Sequence, residues 1–335
     1  MFVEEKLNLN LDFNKKKLKS FLAEHDLLFE PCDSCYCIFD NEKIIACGCR
    51  DGNILKCFAI SNEYRSMGLF DKIISSLLTE CYNLKKDLTF VFTKLDNINF
   101  FTNFSFKELA RGENSVLLYK SDKSIINILE KLFIDNVPLH ILENKKIGAV
   151  VMNANPFTLG HKYLIEKSLS GLDYLFVFVV QEDKSFFSFD ERFMLVKENT
   201  KELSNVFIIP STNFLISTAT FPSYFLKEKK LVSTEHALID SRIFGKYFVP
   251  TFKIATRFLG DEPIDKSTQL YNEVLCSELP KYNCDVKIIK RLRSNKNFVS
   301  ASLVRKFFVE KDFENLSKYV SNFTLNFLKT KSDKK

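Results

Sequence analysis

Histidine is scarce in this chain, with only four among 335 residues. Acid–base chemistry by imidazole is thus confined to a handful of positions, and the spacing of the nine cysteines pairs no thiol with an activating histidine. A surplus of one charge is also missing. The 48 basic and 42 acidic residues leave a formal +6 that is dispersed along the chain, without the basic stripe that nucleic-acid binding requires. Residues 329–335, Lys-Thr-Lys-Ser-Asp-Lys-Lys, read as a solvated basic tail. The longest apolar stretch, 174–180, falls far short of the roughly 20 residues of a membrane span. There are no internal repeats, low-complexity blocks or long Pro/Gly linkers.

The opening Met1-Phe2-Val3-Glu4-Glu5-Lys6 has no basic-then-apolar signal region, and the cysteine count is odd. Free thiols in a reducing cytoplasm are therefore expected. Cys32-x-x-Cys35-x-Cys37 invites a zinc reading, but no second Cys/His pair with ligand spacing accompanies it, and Cys47 and Cys49 alternate along an expected strand. No metal site is expected from these thiols.

What is present is an ordinary globular composition, 46% hydrophobic, and enough length for two cores. Residues 1–122 read as α+β: short strands at 34–39, 43–49, 54–60, 88–92 and 115–119, with a helix over 68–81. Residues 123–145 read as a linker whose amphipathic part, 123–135, forms a helix. From 146 to 328 strands and helices alternate. The strands are expected at 147–152, 173–180, 205–209, 251–259 and 284–289, and the helices near Leu159, Phe189, Ser223, Lys266 and Ser300. Such repeated βα units imply an α/β fold with a doubly wound, Rossmann-like parallel sheet.

Three clusters fall at expected strand ends, where ligands bind in open α/β sheets. After the first strand come Asn153, Asn155, Pro156 and Phe157, then Thr158-Leu159-Gly160-His161-Lys162 at a helix start. A helix N-terminus offers N–H groups and positive potential, Gly160 permits close approach, and His161 can donate to a phosphate oxygen. After the last strand, Ser300, Ser302 and Arg305 open another helix with two hydroxyls and a guanidinium. Between them lie Gly260, Asp261 and Glu262, suited to a turn and to ribose, base or metal contacts. Each cluster alone also reads as a capped helix or a plain turn. Two anion-shaped helix starts in one sheet argue jointly for a nucleotide.

The T-x-G-H and S-x-S-x-V-R pair resembles the signatures of the HIGH-type nucleotidyltransferase superfamily. The longer strings MNANPFTLGHKYLIE, STATFPSYFLK, TRFLGDEP, TQLYNEVL and SASLVR are similar to those of the citrate (pro-3S)-lyase ligase family over nearly the whole chain. The resemblance implies an N-terminal GNAT-like acetyltransferase-type domain. There Arg65 and Gly68 match the CoA-pyrophosphate pattern, while Phe70 and Ser105 replace small residues of that family. It also implies an acid–thiol ligase that uses ATP and Mg2+, makes acetyl-AMP from acetate, and passes the acetyl group to the prosthetic-group thiol of the citrate lyase acyl carrier subunit. His161, Thr158 and Arg305 would then be catalytic, and Thr218, Thr220 and Tyr224 candidates for the acetate or acyl site. Neither a nucleic acid nor a membrane is an expected partner.

Other readings stand beside this one. An adenylyltransferase acting on a phosphorylated metabolite would not need TATFPSYFLK or the N-terminal part. A tRNA-modifying acetate ligase would need the basic stripe that is missing here, and a non-catalytic binding module would not need both phosphate signatures.

Overall fold

The computed structural model describes residues 2–138, 145–181, 185–215, 222–262, 265–294 and 297–333. The chain forms two compact units, 1–124 with 222–239, and 125–221 with 240–335. Among the described residues no helix is long and apolar enough to cross a membrane.

The first unit is built on a seven-stranded sheet in the order β1-β2-β3-β4-β5-β7-β6. The strands are β1 (Val3–Lys6), β2 (Ser34–Asp40), β3 (Lys43–Asp51), β4 (Ile54–Ile60), β5 (Thr89–Lys94), β6 (Lys107–Arg111) and β7 (Ser115–Lys120). Among them run α1 (Asp12–Glu24), α2 (Leu69–Asn83) and the short α3 (Ile98–Thr102). Helix α2 carries Leu69, Ile73, Ile74, Leu77 and Cys81 on its buried stripe, and these meet Ile38, Ile45, Leu55 and Val91 of the sheet. Gly48 is needed there, because a Cβ at this position would lie 2.5 Å from Ile73 Cγ2. Strands β4 and β5 run parallel but share register at only two positions, Ile54 with Phe90 and Leu55 with Val91. Beyond them a cavity of about 350 Å³ is lined by Phe58, Ile60, Thr93 and Lys94. This is the expected GNAT-like α+β unit, with β1, α1, α3 and β6 added to the elements read from sequence.

Residues 222–239 depart from the expected division, in which 146–328 forms one domain: they pack into the first unit. Two anchors account for it. The Tyr224 phenol donates to the Phe92 carbonyl at 2.7 Å and the Tyr224 carbonyl accepts from Leu28 N–H. The Glu235 carboxylate, fully buried, accepts from Glu113 N, Asn114 N and Asn114 Nδ2 at 3.2, 3.0 and 3.0 Å and from Ser115 Oγ. It thereby closes the turn between β6 and β7.

The second unit carries a five-stranded, all-parallel sheet in the order β10-β9-β8-β11-β12. In chain order its elements begin with α4 (Ile125–Asn136), β8 (Ile147–Met152), α5 (Leu159–Ser168), β9 (Tyr174–Val179), α6 (Phe189–Thr200) and β10 (Val206–Pro210). They continue with α7 (Lys229–Ile243), α8 (Val249–Phe252), β11 (Thr256–Gly260), α9 (Lys266–Glu278) and β12 (Asp285–Ile289). The last are the short pair β13 (Arg293–Ser294) and β14 (Asn297–Phe298), then α10 (Ala301–Val309), α11 (Phe313–Ser317) and α12 (Asn322–Asp333). Helix α7 starts within the first unit's segment and ends in the second. The strand expected from 251 starts at Thr256, because α8 runs through 252 and Lys253 ends it in left-handed backbone, φ 50°. Helix α4, expected as a linker element, packs in the second unit through Phe133 against Phe252. The strand order reverses between β8 and β11, so the topological switch point lies between their carboxyl ends.

Replacing Glu235 with alanine strands buried N–H donors and is expected to destabilise the first unit by about 3 kcal/mol. Urea unfolding followed by circular dichroism measures it, with a smaller loss for Glu235→Gln.

Candidate functional site

At that switch point residues of all three sequence clusters line one cleft of about 160 Å³, while Ser302 and Arg305 lie outside its lining. Its wall is drawn from Thr158, Gly160 and His161 after β8, from Gly260, Asp261 and Glu262 after β11, and from Lys290, Arg291, Ser300 and Ala301 after β12. Gly160 sits where a Cβ would touch the Val299 carbonyl at 3.3 Å, so the starts of α5 and α10 abut.

The chemistry at α5 is set by a capping box. Thr158, in extended backbone, caps the helix: His161 N–H donates to Thr158 Oγ1 at 3.4 Å, and Thr158 N–H donates back to His161 Nδ1 at 3.0 Å. Since Nδ1 accepts, the ring proton of a neutral imidazole resides on Nε2. Burial, and then the neighbouring Arg291 cation, lower the His161 pKa from 6.5 to about 4. His161 is therefore a neutral Nε2–H donor at physiological pH. Phe157, buried, stacks on its ring at 5.6 Å. The N–H of Leu159 is occupied by the Tyr319 carbonyl at 2.9 Å.

Ser300 caps α10 by accepting from Leu303 N–H at 3.1 Å, as its position predicts. Arg305, one turn on, donates to the Asn155 carbonyl and, at 3.0 Å, to Ser302 Oγ. Among the described residues no carboxylate pairs with it, and neutral oxygens hold its charge beside the turn that follows β8.

Other expected residues are placed differently. The Asn155–Pro156 peptide is cis, and Asn155 Oδ1 accepts from Phe187 N–H at 3.0 Å. Asn153 exchanges hydrogen bonds with Ser185 Oγ, while its carbonyl and Oδ1 accept from Arg192 at 2.8 and 2.6 Å. These amides brace the turn from inside. Arg192 is fully buried and also donates to the Val180 and Phe187 carbonyls, tying the ends of β8 and β9 together. Lys162 lies outside the cleft lining and pairs with Glu202 at 2.5 Å. Glu262 is engaged by Arg291 at 2.5 Å, which leaves Asp261 as the nearest carboxylate of that turn. Thr218 and Thr220 lie outside the described residues. Tyr224 is not in this cleft. It lines the first unit's cavity beside Arg65, and Gly68 caps α2 with φ 68°.

Arg291 is the contributor that sequence reasoning passed over. The basic loop 290–296 was the available signal, but only the pairing with Glu262 and the approach to His161 single out one residue of it.

The strings TRFLGDEP and TQLYNEVL interlock behind the cleft. Asn272 Nδ2 donates to the Gly260 carbonyl at 3.0 Å, and buried Arg257 donates to Tyr271 Oη at 3.1 Å and to Asp240 at 3.3 Å. Among the described residues no three His, Cys, Asp or Glu side chains converge as a metal cage.

Residues 147–328 match the family described as the citrate lyase ligase C-terminal domain. The chain is 36% identical over 320 residues to the [citrate [pro-3S]-lyase] ligase of Klebsiella pneumoniae, covering 94% of this chain and 92% of that protein. This chain belongs to the citrate lyase ligase family. It is 34% identical to the ligase of the same name from Haemophilus influenzae (strain ATCC 51907 / DSM 11121 / KW20 / Rd), over 86% of this chain and 87% of that one. The corresponding figures for the ligase of Escherichia coli (strain K12) are 32%, 94% and 91%. The expected family and the ligase class are thereby borne out.

The lowered His161 pKa has a defined sign. The unfolded chain takes up the proton near pH 6.5 and the folded chain only near 4, so this group withdraws stability as pH falls through that window and is silent above it. In a histidine NMR titration the His161 Cε1–H resonance is expected to stay flat from about pH 5.5 to 8, a range in which an ordinary imidazole shifts.

Proposed function

We propose that this ligase uses ATP and acetate to acetylate the prosthetic-group thiol on the acyl carrier subunit of citrate lyase, restoring that enzyme to its active form. The observation that carries the reading is the convergence on one cleft of two capped helix starts and a neutral Nε2–H donor, with the Arg305 guanidinium held on the adjoining turn by the Asn155 carbonyl, a set suited to a polyphosphate. Membership of the family supports the substrate assignment.

In the first step an acetate oxygen attacks the α-phosphorus of ATP, the α–β bridging P–O bond breaks, and acetyl-AMP and pyrophosphate form. No protein nucleophile is required, because such transfer depends on positioning and charge neutralisation. His161 donates from Nε2 to a phosphate oxygen, with Thr158 and Gly160 holding the α5 end against the nucleotide. Ser300, Ser302 and Arg305 receive the leaving phosphates, with Arg291 beside them. Magnesium fits as an ion carried in on those phosphates, with Asp261 as the nearest carboxylate not committed to Arg291. It would supply further charge neutralisation. In the second step the carrier thiolate attacks the acyl carbon and AMP leaves, so the enzyme's own cysteines take no part. The first unit's cavity, which Arg65 lines, is assigned together with the Gly68 cap of α2 to docking the carrier's pantetheine arm.

Pyrophosphate release measured with ATP, magnesium and acetate is expected to turn over only when deacetylated citrate lyase is added. It should fall at least about 100-fold in His161→Ala, the scale for losing one preorganised donor. Turnover driven instead by tRNA or a phosphorylated pantetheine would contradict the named acceptor.

A further inference from the structure

Charge in the wall of the second unit's cleft is evenly balanced. The charged residues of the wall are Asp261 and Glu262 after β11 and Lys290 and Arg291 after β12. A nucleoside triphosphate brings several negative charges to such a place, so the question is which of the two cations is free to meet them.

Arg291 is already engaged. Its guanidinium lies 2.5 Å from a Glu262 carboxylate oxygen, and both side chains are partly buried. Separating such a pair leaves a poorly solvated charge uncompensated, so Arg291 serves first to neutralise Glu262 in the turn after β11. Lys290 differs. It is exposed in the cleft wall, and among the described residues no carboxylate pairs with it.

The backbone fixes Lys290 from both sides. Ile289, the last residue of β12, accepts from Asp261 N–H at 2.8 Å, and Leu292 accepts from Val299 N–H at 3.1 Å, just before the Ser300 cap of α10. Only Lys290 and Arg291 lie between those two anchors. The root of the Lys290 side chain is thereby tied to the end of β11 and to the start of α10, both of which contribute to the cleft wall. From that root a lysine offers a compact charge with rotatable donors on a flexible stem, suited to phosphate oxygens that change position as a reaction proceeds.

We propose, on the nucleotide reading of the cleft, that Lys290 is a further substrate-binding residue of the ligase, its ammonium pairing with the polyphosphate of ATP while Arg291 holds Glu262. No bond forms or breaks at Lys290. Its ammonium meets charge that the triphosphate carries before reaction, so its loss acts on ATP binding more than on turnover.

The test varies ATP in the pyrophosphate-release assay of the full-length protein with magnesium, acetate and deacetylated citrate lyase. Alongside it, calorimetry measures binding of α,β-methylene-ATP, in which carbon replaces the bridging oxygen. Lys290→Gln is expected to raise the KM for ATP and to weaken the analogue at least about tenfold, the scale for a hydrogen bond to a charged group, with a smaller change in kcat. Lys290→Arg should recover most of the affinity, and KM should depend less steeply on salt in Lys290→Gln than in wild type. Lys287→Gln, at an exposed β12 position outside the cleft wall, should match wild type. Wild-type KM and analogue affinity in Lys290→Gln would overturn this role alone, as would an equal loss in Lys287→Gln. Failure of the wild-type protein to bind the analogue would overturn the nucleotide reading along with it.

Discussion

The hydrogen bond from the Arg305 guanidinium to the Asn155 carbonyl holds the second unit's cleft together across 150 residues of chain. It fastens the start of α10 to the turn that follows β8, and with that fixed the starts of α5 and α10 meet at Gly160 and Val299. The abutment partly buries His161 and brings Arg291 near it, and both effects keep the imidazole neutral. A neutral ring can serve at once as acceptor to Thr158 N–H and as donor to a ligand, whereas an imidazolium would lose the capping interaction.

A second layer keeps those contacts in place. Arg192 spends its donors on the carbonyls of Asn153, Val180 and Phe187, which fixes the ends of β8 and β9 before any ligand arrives. On the other side of the switch point, Arg257 lies over the Phe244 ring at 4.3 Å and joins Tyr271 and Asp240, while Asn272 pins the Gly260 carbonyl. Much of what makes the longer sequence strings distinctive is this support, which positions the turn residues.

Local chemistry was legible in the sequence and remote partnership was not. The aliphatic runs of β8 and β9 and the capping residues Thr158 and Ser300 act within one or two turns of their own position, so their roles could be read directly. Asn153 and Asn155 looked available to a ligand because their partners, Ser185, Phe187 and Arg192, lie 32 to 39 residues away. Arg291 was one cation among several until Glu262 selected it. Tyr224 followed the same rule: its anchor, the Phe92 carbonyl, is 132 residues distant in the chain and belongs to the first unit, to which 222–239 is drawn. The stretch before β11 carries β-branched and aromatic residues, yet α8 continues through it because Phe252 packs on Phe176 and Phe178.

In the mechanism we propose, acetyl-AMP forms in the cleft before any carrier thiol is engaged. Exchange of labelled pyrophosphate into ATP, measured in the absence of citrate lyase, tests it directly. Exchange is expected to require acetate and to be lost in Arg305→Met. Exchange without acetate, or none until the carrier is added, would contradict it.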